Sequence, residues 1–388
     1  MTLKRLLSSA LLVSLLVGCR GELEPELPYA KELQGVLESG RRSANVRGVS
    51  AAIIVPGHRP WRGASGESHP GQPITPDMVF DMGSVGKFLL SALVLDLCED
   101  GLLSLDDPVS KYLRPYPNVD GSITIRQLLN HTSGLYDMVP HPGGPFRVPY
   151  NSIDFEKWWT IDEIFTTLGG KPYFAPGDGF HYTQAGYQLA TLIVEKVTTS
   201  TVPVEIQKRL LDPLGIDGML LDFSKPIPER FEIAHPWVDV DSDGTPEDVF
   251  SKSRNWIASL SRILFYTRAE DLAIWAQALF AGKVLQAHSL GEMLTFVHPK
   301  PEETDGPLFV DYGLGLMEIN PHLLRGQRTL GHLGSTPGYR AFVGHLADHG
   351  VTMAVLYNSD TDNGFPIVDG LLGTVLNNLG AKRERPPE

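Results

Sequence analysis

The chain has 388 residues, with 33 Lys+Arg against 46 Asp+Glu and a formal net charge of −13. That acidity argues against a nucleic-acid partner and fits a well-solvated body. Two cysteines do not make a disulfide scaffold, and the length suits one large domain or two intertwined ones.

In chain order, residues 1–18 predict an export signal. Lys4 and Arg5 open it, and Leu6 to Val17 form an apolar stretch too short for a permanent membrane span. The stretch ends Leu16-Val17-Gly18-Cys19, which resembles a bacterial lipoprotein cleavage box, so Cys19 is expected to carry lipid. By analogy with enterobacterial lipoproteins, Arg20 after it points to the outer membrane. The expected location is therefore the cell envelope, with residues 19–30 as a tether. Cys98 is left as a lone buried thiol, and no disulfide is expected.

Tyr29 to Gly40 predicts a helix, and Val49 to Pro56 and Trp61 to Gly66 predict strands around a Pro-Gly-His turn. The apolar run Phe88 to Cys98 predicts a helix that ends at Glu99-Asp100-Gly101. Ile123 to Asn130 is a short helix, broken by His131-Thr132-Ser133-Gly134, a turn with Gly134 left-handed. Residues 139–152 form a Pro/Gly-rich loop, and aromatic residues (Phe146, Tyr150, Phe155, Trp158, Trp159) gather in and after it. Gln184 to Val197 and Val204 to Leu211 are helical, as is Ala269 to Gly282. Strands follow at Tyr312 to Glu318, Arg340 to Leu346 and Thr352 to Asn358. A helix from Pro366 to Leu379 and a frayed tail over 381–388 close the chain.

Sheet material thus lies at both ends and helices in the middle. The expected fold is α+β: an antiparallel sheet flanked by helices, built from 31–115 and 255–380, with a mostly helical part inserted over 116–254. A crevice between the two is the natural site.

Chemistry concentrates at Ser84-Val85-Gly86-Lys87, directly before the apolar helix. Ser84 and Lys87 are three residues apart and share one helical face. An amine beside a hydroxyl can hold or remove its proton, and the helix N-terminus favours the negative charge that develops. Two further segments fit that task. Tyr182-Thr183-Gln184 offers a phenol that a neighbouring ammonium could tune as a base. His332-Leu333-Gly334-Ser335, ahead of the strand at Arg340, offers an imidazole and a glycine that lets substrate approach backbone N–H groups.

These three segments resemble, in order and spacing, the motifs of the penicillin-recognising serine hydrolases. The branch is that of class C β-lactamases, D-alanyl-D-alanine carboxypeptidases and family VIII esterases. Leu128 to Leu135, Phe174-Ala175-Pro176-Gly177 and Gly331 to Gly338 are similar to the same family, so the likeness spans roughly 45–360. It implies a β-lactamase/transpeptidase-like fold, with Ser84 as the nucleophile of an acyl-enzyme and Lys87 lowering its pKa. Tyr182 would be general base and then acid, and the backbone N–H groups of Ser84 and Ser335 would form the oxyanion hole. His332 stands where many relatives carry lysine and would supply positive or hydrogen-bonding character beside Tyr182. No metal or organic cofactor is implied.

Two substrate-facing positions depart from that pattern. Gln184 replaces the usual Asn and adds a methylene, and Leu333 replaces a Thr whose hydroxyl helps receive a substrate carboxylate. With Gly334 they line the expected binding site, and they turn the expectation from β-lactams and D-Ala-D-Ala peptides toward neutral esters or amides. The alternatives are a β-lactamase or D-Ala-D-Ala carboxypeptidase and, from another class, an envelope binding lipoprotein that has lost turnover.

Met82-Gly83-Ser84-Val85-Gly86 lacks the first glycine of a nucleophile elbow, and Gly86-Lys87 lacks the frame of a phosphate loop. Asp239-Val240-Asp241-Ser242-Asp243-Gly244 matches the start of a calcium loop, but position 12 is Phe250. An acidic Asp-Gly hairpin turn is the plainer reading, with calcium at Asp239, Asp241 and Asp243 the alternative.

Overall fold

The structure, a computed structural model, describes residues 24–137, 160–222, 227–241, 243–251, 265–300, 303, 308–360 and 364–383. The expected signal, Cys19, and the Pro/Gly-rich loop with its aromatic group lie outside the described residues.

Eight strands make one antiparallel sheet. β1 (Gly48–Ile54), β2 (Trp61–His69) and β3 (Gln72–Pro73) come from the first part of the chain. β4 (Phe309–Tyr312), β5 (Met317–Ile319), β6 (Thr329–Thr336), β7 (Tyr339–Leu346) and β8 (Val351–Tyr357) come from the last. In space the order is β3-β2-β1-β8-β7-β6-β5-β4. The two ends of the chain therefore meet at β1 and β8, where Val49 faces Tyr357 and Ile53 faces Met353.

Strand periodicity divides the apolar side chains between two cores. Val49, Ala51 and Ile53 join Val351, Met353 and Val355 beneath α1 (Ala30–Ser43) and α5 (Phe365–Arg383). Ala52, Ala354 and Leu356 face the opposite core, which holds α2 (Gly86–Glu99), α3 (Gln184–Thr198) and α4 (Ala269–Phe280). A sheet covered on both faces has strands apolar on both faces, hence the near-continuous run of β8.

Helix α2 is apolar on every side and buried almost throughout, as such a helix must be. Phe88 stands edge-on to Trp275 of α4 at 4.8 Å between centroids. Each fully buried leucine of α2 contributes about 1.5–3 kcal/mol, so the segment carrying Ser84 is anchored in the core. A small three-stranded sheet, Phe80–Asp81 with Tyr266–Thr267 and Met219–Leu220, ties the approach to Ser84 to the middle of the chain.

Several boundaries differ from expectation. The chain over Tyr312–Glu318 is a hairpin, turning where the Gly313 N–H donates to the Leu316 carbonyl at 2.7 Å. His332-Leu333-Gly334-Ser335 does precede the strand at Arg340, but it is itself strand: it lies inside β6, paired to β7 along its length. Two glycines in that stretch give it low intrinsic strand preference, and pairing with its neighbours overrides it. Val204–Leu211 divides into a helix Val202–Ile206, begun early by Pro203, and a wide turn Gln207–Leu211. Residues 381–383, expected to fray, continue α5. Among the described residues no helix is long and apolar enough to cross a membrane.

Candidate active site

A one-turn 3-10 segment, Gly83–Val85, leads into α2 and carries Ser84. Lys87 Nζ donates to Ser84 Oγ at 3.0 Å and to Gln184 Oε1 at 2.5 Å. The lysine is 0% exposed, and its amine sits 4.9 Å from the Tyr182 ring centre and 5.5 Å from that of Tyr187. Burial lowers its pKa to about 7, with Asp137 pulling weakly the other way. A neutral amine next to a serine hydroxyl is thus accessible near neutrality.

Tyr182 directly precedes α3. Thr183 caps that helix, its Oγ1 accepting the Ala185 N–H at 3.1 Å, which fixes the direction in which Tyr182 enters. The phenol hydrogen-bonds to Ser84, and burial pushes its pKa above the ordinary tyrosine range. The expected phenolate is therefore disfavoured. Lys87 is the group that loses its proton at lowest cost, and Tyr182 is held as a neutral phenol.

Of the two characters expected of His332, positive charge or hydrogen bonding, the ring has the second. A carbonyl only accepts, so Nδ1, 2.6 Å from the Leu333 oxygen, carries the ring proton. Nε2 then accepts from the Tyr312 hydroxyl at 3.0 Å. Burial first, and then Lys87, drive its pKa down to about 3, so it brings no positive charge to Tyr182. The two rings lie 6.4 Å apart. Leu333 is half-buried and packs in the core shared with Tyr182.

Glycines bring the nucleophile turn onto β6. A Cβ on Gly334 would fall 2.0 Å from the Met82 carbonyl oxygen, and one on Gly83 would fall 2.8 Å from the Ser335 nitrogen. Gly83 also has φ +52, a left-handed conformation in which a side chain is strained. The backbones beside Ser84 and at Ser335 are thereby adjacent. The Gly83 N–H donates to Asp81 Oδ1 at 2.7 Å; Asp81 is buried, and burial raises its pKa to about 7.

Sequence reasoning missed His131, which it read only as part of a turn. Gly134 does have positive φ, but so does His131, at +62. The ring of His131 is fully buried 4.3 Å from that of Tyr182 and 4.7 Å from that of Tyr312. The available signal was a histidine in a turn position that favours Asn, Asp and His.

The other candidates lie apart from this group. Asp239, Asp241 and Asp243 place carboxylate oxygens within 4.8 Å of one another. They accept backbone N–H groups of Asp243, Gly244 and Thr245 between paired strands Trp237–Val238 and Glu247–Asp248. Cys98 is half-buried, and burial pushes its thiol up to about 12.

The family model for beta-lactamase matches residues 33–374. The chain belongs to the beta-lactamase family. It is 27% identical over 300 residues to Penicillin-binding protein 4* of Bacillus subtilis (strain 168), covering 75% of this chain and 63% of that one. It is 31% identical over 231 residues to Esterase EstB of Burkholderia gladioli, covering 57% and 56%. The match thus spans less than two thirds of either relative. D-amino acid amidase from Ochrobactrum anthropi SV3, solved with L-phenylalanine, superposes with a TM-score of 0.77 at 24% identity, covering 90% of this chain and 98% of that one. D-stereospecific amidohydrolase from Streptomyces sp. gives 0.72 at 26% identity, covering 88% and 98%. These likenesses agree with the large antiparallel sheet and its helices.

Proposed function

We propose that this beta-lactamase family member is a serine hydrolase that acts through an acyl-enzyme on ester or amide substrates. The observation that carries this reading is the buried Lys87 amine, 3.0 Å from Ser84 Oγ and with its proton loosely held. Lys87 accepts the Ser84 proton as Oγ attacks the carbonyl carbon. The oxyanion forms against the adjacent backbones of Ser84 and Ser335. Tyr182 passes its proton to the leaving group while the Lys87 ammonium returns the serine's proton to it, so the phenol and the neutral amine are restored, and water then cleaves the acyl-serine by the reverse relay. Gln184 keeps the amine oriented.

Relatives named as esterase, amidase and penicillin-binding protein support the carbonyl chemistry, and Leu333, with no hydroxyl to receive a carboxylate, favours a neutral acyl group. Export to the envelope on a lipidated Cys19 is part of the proposal and rests on the sequence alone.

Intact mass after exposure to a fluorophosphonate tests the reading. A single adduct is expected, absent from Ser84→Ala, together with loss of ester turnover by at least about a thousandfold. A folded wild-type protein that takes no adduct would overturn it in favour of a binding role.

A further inference from the structure

We propose that His131 is a positioning residue for Tyr182, gripping the chain on both sides of it. The inference rests on the hydrolase reading above. The His131 carbonyl accepts the His181 N–H at 3.0 Å, and its Nδ1 accepts the Thr183 N–H at 3.2 Å. Tyr182 lies between those two donors, with its ring against the imidazole at 4.3 Å. One residue thus fixes the backbone before the phenol, the backbone after it and the plane of its ring.

The grip needs a particular state of the imidazole. Nδ1 accepts, so the proton is on Nε2, and that atom is buried without a hydrogen-bond partner among the described residues. The groups facing the ring are Lys87, His181, His332 and the phenols Tyr182, Tyr187 and Tyr312. Burial first, and then the charge of Lys87 when it is protonated, keep the ring neutral, so the acceptor stays available. Its seat is built to match. The Tyr187 hydroxyl donates to the Leu129 carbonyl at 2.6 Å, two residues upstream, and the Gly177 N–H donates to the Thr132 carbonyl at 2.8 Å. The left-handed φ of His131 turns side chain and carbonyl toward the same segment.

Two substitutions separate the components. His131→Asn keeps an acceptor where Nδ1 stood and tolerates the left-handed backbone, but removes the ring. His131→Phe keeps a ring and removes the acceptor. Each is expected to lower kcat about ten- to hundredfold with KM within about threefold, because a shift of about 1 Å in the relay costs rate. In a Tyr182→Phe background, His131→Asn should add little further loss, since its effect runs through the phenol. Nitrogen NMR of the wild-type protein should show His131 neutral and Nε2-protonated from pH 5 to 9. A folded His131→Asn with wild-type kcat, full additivity in the Tyr182→Phe background, or an Nδ1-protonated ring would each overturn the role. Fluorophosphonate labelling of the wild-type protein separates the two readings. No label sinks the hydrolase, whereas normal label with an unimpaired His131→Asn sinks only the grip.

Discussion

Gln184 Oε1 receives the Lys87 ammonium at 2.5 Å, so the residue standing where the resemblance leads one to expect asparagine is hydrogen-bonded to the amine beside Ser84. The Nε2 of the same amide is buried without a partner among the described residues.

This contact favours the charged amine and opposes the burial that lowers its pKa. Turnover should rise through about pH 7 as Lys87 loses its proton. In Gln184→Leu the ammonium loses an acceptor, so that rising limb should move to lower pH by about one to two units, from the ~1.5–3 kcal/mol of a charged hydrogen bond. The pH dependence of kcat/KM checks it. The same lowered pKa sets a stability trend. Between about pH 7 and 10.5 the unfolded chain binds the proton that the folded one has lost, so Lys87 makes stability rise with pH in that window.

His332 should not titrate in the working range. Its folded pKa of about 3 lies below the ordinary 6.5, so stability from this residue is lost as pH falls from 6.5 toward 3. Melting temperatures should drop between pH 7 and 5 in the wild-type protein and drop less in His332→Gln. The limb near pH 7 in the rate profile should persist in that variant, because it belongs to Lys87.

Gly334→Ala places a methyl 2.0 Å from the Met82 oxygen, backbone against backbone. We expect a loss of about 3 kcal/mol or more, or displacement of the Ser84 turn from β6. Denaturant unfolding and fluorophosphonate labelling rate, measured together, distinguish the two.

Asp81 runs the other way. Its pKa is raised from 3.8 to about 7, so the protonated acid is the form the fold prefers, and its contribution, full below pH 3.8, is lost progressively as pH rises to about 7. Asp81→Asn keeps an acceptor for Gly83 without the charge. It should gain most relative to wild type at pH 8 to 9 and less than half as much at pH 5, with a ceiling of about 4 kcal/mol. Equilibrium unfolding at the two pH values decides it.

The spacing of Ser84 and Lys87 was legible because three residues of helix bring two side chains together whatever the rest of the chain does. The apolar helix behind them was legible for the same local reason, since a run without a polar face has to be buried. The alternating termini announced one sheet built from both ends, and periodicity alone carries that information. What the sequence could not determine depends on residues far apart in the chain. His332 is neutral through burial and through Lys87, far away in the chain. Tyr182 lost its phenolate to the same dry surroundings. Gln184 met Lys87 across 97 residues, and His131 met the Tyr182 segment across about fifty. Proton affinity is a property of the space around a group, and only the closing of the sheet over the helical middle created that space.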